Sequence, residues 1–235
     1  MEKKGALLFM FVFFTGVFAL IAQSQTQGKT PLDKNSAFVA LLLSYDKTKK
    51  ENNKNLLENV KFSDVSSFSV RSAGGYFFKK YFAVGLGFDY TSDKENSENI
   101  NTFGPNTLVE KQLQTFTLTP FIRNYISIGS KDRLFLFTQT GLEFGFGNGD
   151  ESTVTGSSTT FTDIKKLNYG IAFTPGVILI VEKGFAFEVN VGVLGLRHSK
   201  ETFTPTDTEE TVITKTNFNF DINLLKLNLG ISYYF

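Results

Sequence analysis

The sequence predicts an all-β fold, an eight-stranded antiparallel up-and-down transmembrane β-barrel, from three observations. Apolar and polar residues alternate in eight segments, which is the pattern of strands with one apolar and one polar face. The connections between these segments alternate between short and long. The last segment is apolar on one face and ends on an aromatic residue, Phe235. This combination is typical of a barrel that closes within a membrane.

The first 24 residues have the pattern of a secretory signal peptide. Lys3 and Lys4 form a basic start, residues 6–21 an apolar core, and Ala22-Gln23-Ser24 a small-x-small cleavage site. The apolar run is shorter than the roughly 20 residues of a spanning helix, which favours cleavage over an uncleaved anchor. We therefore expect a signal peptide at 1–24, a short unstructured lead-in at 25–35 and an outer-membrane β-barrel at 36–235.

The composition excludes several classes of protein. With 24 basic and 23 acidic residues, the net charge of +1 gives no electrostatic indication of a nucleic-acid partner. The absence of cysteine excludes disulfides, thiolate metal sites and lipid attachment through an N-terminal cysteine. Mean hydropathy is −0.06, and after the signal no apolar run is long enough for a membrane helix. The 27 phenylalanines and 20 glycines suit a barrel with an aromatic wall and a crowded interior.

The first four predicted strands cover 36–45, 67–77, 82–91 and 115–123, and the third has the clearest alternation. Pro120 lacks a backbone donor, so we expect a β-bulge there. The predicted outward residues are Val39, Leu41, Leu43 and Tyr45; Phe68, Val70 and Tyr76; Phe82, Val84, Leu86, Phe88 and Tyr90; and Phe116, Leu118, Pro120 and Ile122.

The other four predicted strands cover 134–146, 167–179, 185–192 and 216–235. The last one changes phase midway, and because a one-residue slip moves the apolar set to the opposite face, we expect a bulge near Leu224-Leu225. The predicted outward residues are Leu134, Leu136, Leu142, Phe144 and Phe146; Leu167, Tyr169, Ile171, Phe173, Val177 and Leu179; Phe185, Phe187, Val189 and Val191; and Phe218, Phe220, Ile222, Leu224, Leu227, Leu229, Ile231 and Tyr233.

The connections divide into two kinds. Three are short, at 78–80, 127–132 and 182–184, and four are long and polar, at 46–64, 91–111, 148–163 and 198–214. Short periplasmic turns and long outer loops are the expected asymmetry of an outer-membrane barrel. An even number of strands also closes the sheet without a free edge, as membrane insertion requires.

The chain resembles the outer membrane protein β-barrel domain family, the OmpA/OmpX-like small barrels, in the style of members from the Bacteroidetes. The resemblance covers nearly all of the mature chain, and its motifs are structural. It implies the fold and an outer-membrane location, and it brings no catalytic residues, cofactor or metal. The segments that carry it are Ser67-Phe68-Ser69-Val70 with Gly75-Tyr76-Phe77, Ala83-Val84-Gly85-Leu86-Gly87, Thr119-Pro120-Phe121-Ile122-Arg123-Asn124-Tyr125, and Asn228-Leu229-Gly230-Ile231-Ser232-Tyr233-Tyr234-Phe235.

Two sets of residues are predicted to have a role, one as a charge network in the lumen and one as an assembly signal. Three inward cations and three inward anions give a lumen charge network that neutralises itself, because unpaired charges in a narrow interior cost several kcal/mol each. An eight-stranded barrel is just wide enough for its own side chains, so a plug is favoured over an ion-conducting lumen. The network is Arg71, Asp89, Arg123, Glu143, Glu188 and Lys226, and the assembly signal read by the insertion machinery is Leu227, Leu229, Ile231, Tyr233 and Phe235.

Other motifs have weaker functional interpretations. His198 beside Ser199 permits a lipid hydrolase, but adjacent strand residues point to opposite faces. The glycines at 145–149 lack the helix of a phosphate cradle. Loop one is basic, with Lys47, Lys49, Lys50 and Lys54, and is a candidate contact for lipopolysaccharide phosphates, although solvated loops often carry such charges. No metal-ligand spacing is present in the sequence.

The sequence therefore predicts a monomeric, non-enzymatic outer-membrane barrel with a plugged polar lumen and a structural or surface-interaction role. Its expected partners are outer-membrane lipids, lipopolysaccharide and the barrel-insertion machinery, with no nucleic acid. A narrow channel for ions or small solutes and a lipid-modifying enzyme are the alternatives. A soluble barrel that carries a ligand in its core is disfavoured, because its outer surface would be apolar. The residues expected at the interfacial girdles are Tyr45, Tyr76, Phe82, Tyr90, Tyr233 and Phe235.

Overall fold

A computed structural model describes residues 31–54, 59–100, 104–129, 132–182, 184–191, 194–206, 209–220 and 228–235 of the protein. The predicted signal peptide lies outside these ranges. Within them, no helix is long and apolar enough to cross a membrane. The strands are β1 (Ala37–Lys54), β2 (Asn59–Lys79), β3 (Phe82–Asn99), β4 (Thr107–Ile128), β5 (Leu134–Thr155), β6 (Ser158–Glu182), β7 (Phe185–Asn190), β8 (Leu194–Pro205), β9 (Thr211–Phe220) and β10 (Asn228–Tyr234).

Eight of these strands form a closed ring. Strands β1 to β7 pair in sequence order, β7 pairs with β10, and β10 pairs with β1. Every one of these pairings is antiparallel. The predicted all-β antiparallel fold with a ring of eight strands is confirmed.

The register around the ring shows that the strands are tilted. Starting from Leu43 on β1, cross-strand partners lead in one direction to Leu167 on β6 and in the other direction to Val177, ten residues away on the same strand. A ring that closes with such a displacement has strands inclined to its axis, typically by about 35–45°. The first path passes through Val70, Tyr90, Phe116 and Phe146, and the second through Leu229 and Val189.

The seventh predicted strand, 185–192, corresponds to β7, and the chain continues as a further strand, β8, that the sequence did not predict. The register with β6 shifts by one residue between the pairs Gly176–Asn190 and Phe173–Leu194. The exposed apolar residues accordingly have odd numbers on β7, as in Phe187, and even numbers on β8, as in Leu196. This irregularity keeps the apolar side chains on one face, as a bulge does.

The eighth predicted strand, 216–235, overlaps β9 and β10. The bulge expected near Leu224-Leu225 lies outside the described residues. On either side of it, Phe218 and Leu229 are both exposed although their numbers differ in parity. Among the described residues, β9 pairs with β8 alone, and β1 beyond Leu43 pairs with β2 alone.

The prediction of four long loops is wrong. Strand pairing extends through most of 46–64, 91–111, 148–163 and 198–214. Between β5 and β6 the hairpin tip is Gly156-Ser157, where Gly156 has a φ of +61°. These segments contain many threonines, which favour extended backbone even where no apolar face marks the strand.

The prediction of a bulge at Pro120 is also wrong. The register of β4 with β3 is continuous through the pair Leu86–Pro120. With β5, pairing stops at Leu118 and resumes at Phe121 without a shift. Proline, which has no backbone N–H, therefore interrupts the pairing of β4 with β5 there without inserting an extra residue into the strand.

The core of the protein lies inside the ring at the end where β1 begins and β10 ends. Leu32 is fully buried against this core, and the backbone amide of Tyr81 donates to the Leu32 carbonyl at 3.0 Å. Residues 31–35 form turns, so the expectation of an unstructured lead-in is wrong for this part.

Candidate functional site

The two faces of the ring differ as the alternation predicts. Leu86 and Phe88 are 39% and 40% exposed, whereas the side chains of Asp89 and Glu143 are 10% and 12% exposed. Apolar side chains therefore cover the outside, and charged ones lie inside. We call the exposed outward set the apolar belt; it comprises Leu43, Phe68, Leu86, Phe88, Phe116, Leu118, Ile122, Leu136, Leu142, Phe144, Phe146, Leu167, Tyr169, Ile171, Leu179, Phe187, Leu196, Leu229 and Ile231.

Seven buried aromatic rings fill the interior at the end where the core lies. Phe38 stacks on Tyr234 with ring centroids 5.3 Å apart, and Phe77 lies 5.5 Å from Tyr125. Such contacts stabilise the packing beyond area burial alone. We call this set the aromatic layer; it comprises Phe38, Phe77, Phe121, Tyr125, Phe135, Phe137 and Tyr234.

Inward glycines make room for the aromatic layer. A Cβ on Gly75 would meet the ring of Phe38, and a Cβ on Gly176 would meet the ring of Phe137. The sequence predicts glycines in a crowded interior, and these two glycines lie against buried rings as expected. The layer itself was not predicted, although extending each strand's phase to its end would have identified its members.

Arg123 lies on the inner side of the aromatic layer. Its Nη1 donates to Glu188 Oε2 at 3.0 Å and its Nη2 to Glu188 Oε1 at 3.2 Å. Its Nε and Nη2 also donate to Gln139 Oε1, at 2.9 and 2.7 Å. The guanidinium is thus paired on two sides, as a buried charge must be to offset its loss of hydration.

Aromatic rings surround the remaining faces of this guanidinium. Its central carbon lies 4.9, 5.4 and 4.3 Å from the ring centroids of Phe38, Phe121 and Phe137. These distances are within the range of cation–π attraction. The aromatic layer and the Arg123–Glu188 pair therefore form one packed unit.

A hydrogen-bonded chain extends this unit to the last strand. Asn190 Nδ2 donates to Glu188 Oε1 at 3.2 Å, and Asn228 Nδ2 donates to Asn190 Oδ1 at 2.9 Å. The contacts join β10 to β7, next to the point where the ring closes.

Two more ion pairs lie on the other side of Arg123, and we call them the charged tier. Arg71 pairs with Asp89 on the neighbouring strand. Arg197 donates to Glu143 Oε2 from Nη2 at 2.6 Å and from Nε at 3.1 Å. Arg197 is absent from the predicted network because it lies on β8, beyond the seventh predicted strand, which ends at residue 192. Lys226, which it named instead, lies outside the described residues.

The space between the charged tier and the aromatic layer is small. A cavity of about 20 Å³ is lined by Arg123 and by three residues of the charged tier, Arg71, Asp89 and Glu143, among others. A cavity needs about 10–15 Å³ to hold one water molecule. This part of the interior therefore has room for about one water and none for an organic solute.

A second apolar cluster lies beyond the charged tier. Leu113 and Ile164 are 4% and 1% exposed, and Phe203 is the cross-strand partner of Ile164. The Nζ of Lys111 lies 5.2 Å from the centroid of the Phe203 ring. The interior is thus narrowed by side chains on both sides of the charged tier.

His198 does not form a hydrolytic constellation with its neighbours. Its Nδ1 is 2.8 Å from the hydroxyl of Thr216, and its ring stacks on Tyr169 at 4.8 Å. Ser199 lies on the opposite face of β8 by strand alternation. In the described part of the chain, no group of three or more His, Asp or Glu side chains is placed to hold a metal ion.

The glycines at 145–149 lie within β5 and do not form a phosphate cradle. A Cβ on Gly145 would meet the side chain of Asn168, and one on Gly149 would meet the backbone of Gln112. Their small size serves packing inside the ring.

The terminal strand places its alternate residues as expected. Leu229 and Ile231 are 58% and 51% exposed, and Tyr233 stacks on Phe235 at 6.1 Å. The backbone of Phe235 exchanges two hydrogen bonds with Ala37, at 2.7 and 2.9 Å. Leu227, the first residue of the predicted assembly signal, lies outside the described residues.

Comparison with solved structures finds proteins that align with most of this chain. The attachment invasion locus protein Ail of Yersinia pestis is 15% identical, with 86% of this chain and 99% of that chain covered and a TM-score of 0.37. The outer membrane protein OprG from Pseudomonas aeruginosa is 12% identical, with 88% and 99% covered and a TM-score of 0.49. Neisserial surface protein A is 15% identical, with 85% and 96% covered and a TM-score of 0.34.

These similarities assign neither a family nor an activity, because all three TM-scores are below 0.5. No protein-family model and no curated protein sequence matches the chain. The resemblance to OmpA/OmpX-like barrels stays a prediction, and the fold follows from the closed ring itself.

Proposed function

We propose that this protein is a monomeric outer-membrane β-barrel with a plugged lumen, and that it acts as a structural or surface-interaction protein and not as an enzyme. In this proposal the signal peptide directs export, and the insertion machinery reads the terminal strand. The partners are outer-membrane lipids and lipopolysaccharide.

The apolar belt supports the membrane location. In water, so many exposed Leu, Ile and Phe side chains on one continuous surface would be a strong drive to aggregate. Against hydrocarbon they are favourable, and a closed ring satisfies the backbone groups that a membrane leaves without water. The aromatic residues Tyr45 and Tyr76, which are 66% and 41% exposed, suit the two margins of the belt.

The aromatic layer is the main observation that supports a plugged lumen. Its seven rings are at most 5% exposed, and Arg123 and Glu188 fill the space beside them with side chains 2% and 0% exposed. An eight-stranded barrel has just enough internal width for such side chains. In this proposal the plug is mainly aromatic and surrounds the buried Arg123–Glu188 ion pair, whereas the sequence predicts a plugged polar lumen.

The long strands support a role at the cell surface. β4, β5 and β6 have 22, 22 and 25 residues, whereas a membrane strand needs about 9–11. The excess lies on the side away from the aromatic layer and presents a mainly polar sheet surface.

Single-channel recording in planar bilayers tests the plug. We expect no conductance steps from the wild-type protein, and steps from the Phe38→Ala/Phe137→Ala variant, because that change removes two rings that flank Arg123. The matched control is Phe144→Ala/Phe187→Ala, which removes two outward rings that are 52% and 58% exposed.

Heat-modifiable migration on gels checks that each variant is folded. Regular conductance from the wild-type protein would contradict the plug and favour the channel alternative. Failure of the wild-type protein to insert at all would contradict the membrane location.

A further inference from the structure

The described cations fall into two groups according to whether a carboxylate pairs with them. Inside the ring, Arg71, Arg123, Lys166 and Arg197 each have a carboxylate partner. Lys165 and Lys200 are exposed, and no described carboxylate lies within ion-pair distance of either. These two lysines are therefore available to an external anion.

The register places the two lysines next to each other on the outer surface. Lys200 pairs with Leu167, and Lys165 pairs with Thr202, so the lysines are diagonal neighbours on β6 and β8. Diagonal neighbours on one face lie about 7–8 Å apart at their Cα atoms, and long side chains bridge that distance. Two ammonium groups can thus reach the same phosphate.

The site lies directly above the apolar belt. Leu167 and Tyr169, which are 55% and 49% exposed, are the last belt residues on β6 before Lys165. On β8, His198 lies between Leu196 and Lys200 on the same face, with its ring stacked on Tyr169. If the belt contacts hydrocarbon, this position is the headgroup level of the outer leaflet.

Two lysines of the first predicted loop, unlike Lys165 and Lys200, are paired with a carboxylate. Lys47 and Lys49 lie 3.0 and 3.8 Å from the same carboxylate oxygen of Asp64. The pairing of Lys47 raises the pKa of its ammonium group, chiefly through the hydrogen bond to Asp64. Their charge is already partly balanced within the protein, which makes them weaker candidates for an external anion.

We propose that Lys165 and Lys200 bind a phosphate of the anionic glycolipid in the outer leaflet, with the Tyr169–His198 stack as the floor of the site. The nearest carboxylate along β6 on the same face is Asp163, two residues beyond Lys165, and it limits the site on the side away from the membrane. This proposal rests on the proposed outer-membrane function.

Native mass spectrometry of the detergent-solubilised full chain with bisphosphorylated lipid A tests the site. We expect Lys165→Gln/Lys200→Gln to weaken binding at least five-fold, since one lysine near an anionic lipid surface contributes about 1 kcal/mol. The control Lys47→Gln/Lys49→Gln removes the same charge from two paired lysines, and we expect less than a two-fold effect. We also expect lipid A without phosphates to bind the wild-type protein as weakly as the variant binds the phosphorylated form.

Equal weakening by both double variants would overturn the site, because it would show a general charge effect. Equally tight binding of the dephosphorylated lipid would also overturn it. Insertion into phosphatidylcholine vesicles, measured in parallel, separates the two proposals. A chain that inserts but fails the lipid A comparison refutes the site alone, whereas a chain that does not insert refutes the proposed function and the site with it.

Discussion

Arg123 on β4 and Glu188 on β7 form a bidentate ion pair whose side chains are 2% and 0% exposed. The two strands are not neighbours in the ring, so the pair crosses the interior. It is the polar centre of an otherwise aromatic filling, and it links two strands that are separated in the ring by β5 and β6.

Breaking this pair is expected to destabilise the protein strongly. Glu188→Gln leaves the buried Arg123 charge unbalanced, which costs about 3–5 kcal/mol of unfolding free energy. The double replacement Arg123→Met/Glu188→Leu removes both charges. It is expected to lower the unfolding free energy less than Arg123→Met alone or Glu188→Leu alone, because each of these leaves one buried charge without its partner. Urea titration of the protein in lipid vesicles measures these free energies, and losses that simply add would contradict the coupling.

Two glycines on β3 provide a matched test of interior packing. A Cβ on Gly85 would meet the carbonyl oxygen of Gly74 and the ring of Phe121, whereas the nearest atom to a Cβ on Gly87 is the Thr119 carbonyl oxygen at 3.6 Å. We expect Gly85→Ala to lower the unfolding free energy by about 1–3 kcal/mol. Gly87→Ala is expected to change it by less than about 0.5 kcal/mol. The same urea titration compares them, and equal effects would show that Phe121 does not limit the space.

Glu98 in the β2–β3 hairpin is expected to titrate below its usual range. The Asn106 amide, at 2.9 Å, and then the Lys61 ammonium, at 3.0 Å, lower the pKa of this carboxyl. Because the folded pKa is lowered, the contacts stabilise the hairpin above the unfolded pKa, and this contribution is lost as pH falls through the folded value. Asn106→Ala is expected to raise the Glu98 pKa in an NMR titration of its carboxyl carbon. An unchanged titration curve would rule out the amide as the main cause.

The C-terminal residue is expected to act through its backbone as well as its ring. Deleting Phe235 removes two hydrogen bonds to Ala37, whereas Phe235→Ala keeps them and removes only the ring. We expect the deletion to reduce heat-modifiable, membrane-inserted protein more than the substitution does. The result is measured on gels of membrane fractions. Normal assembly of the deletion variant would contradict a role for Phe235 in closing the ring.

The faces of the strands could be predicted from the sequence because alternation directly reports side-chain direction. Phe88 and Asp89 are adjacent in sequence and lie outside and inside the ring. The same reasoning fails where both faces meet water, as around Thr153 and Thr160, which pair across β5 and β6 in a segment predicted to be loop. No apolar periodicity marks such strands.

The pairing of charges could be predicted only in part. Arg71, Arg123, Asp89, Glu143 and Glu188 follow from strand phase. The partner of Glu143 does not, because Arg197 faces inward only after the one-residue register shift between β7 and β8. A shift of this kind has no signature in composition.

The paired hairpin of β5 and β6 also limits where the surface of this protein tolerates added sequence. Backbone pairing continues to Thr155 and Ser158, so only Gly156 and Ser157 lie outside the ladder. A displayed epitope or affinity tag placed between these two residues leaves every rung intact. The same insertion a few residues earlier in either strand would push one edge out of register with the other.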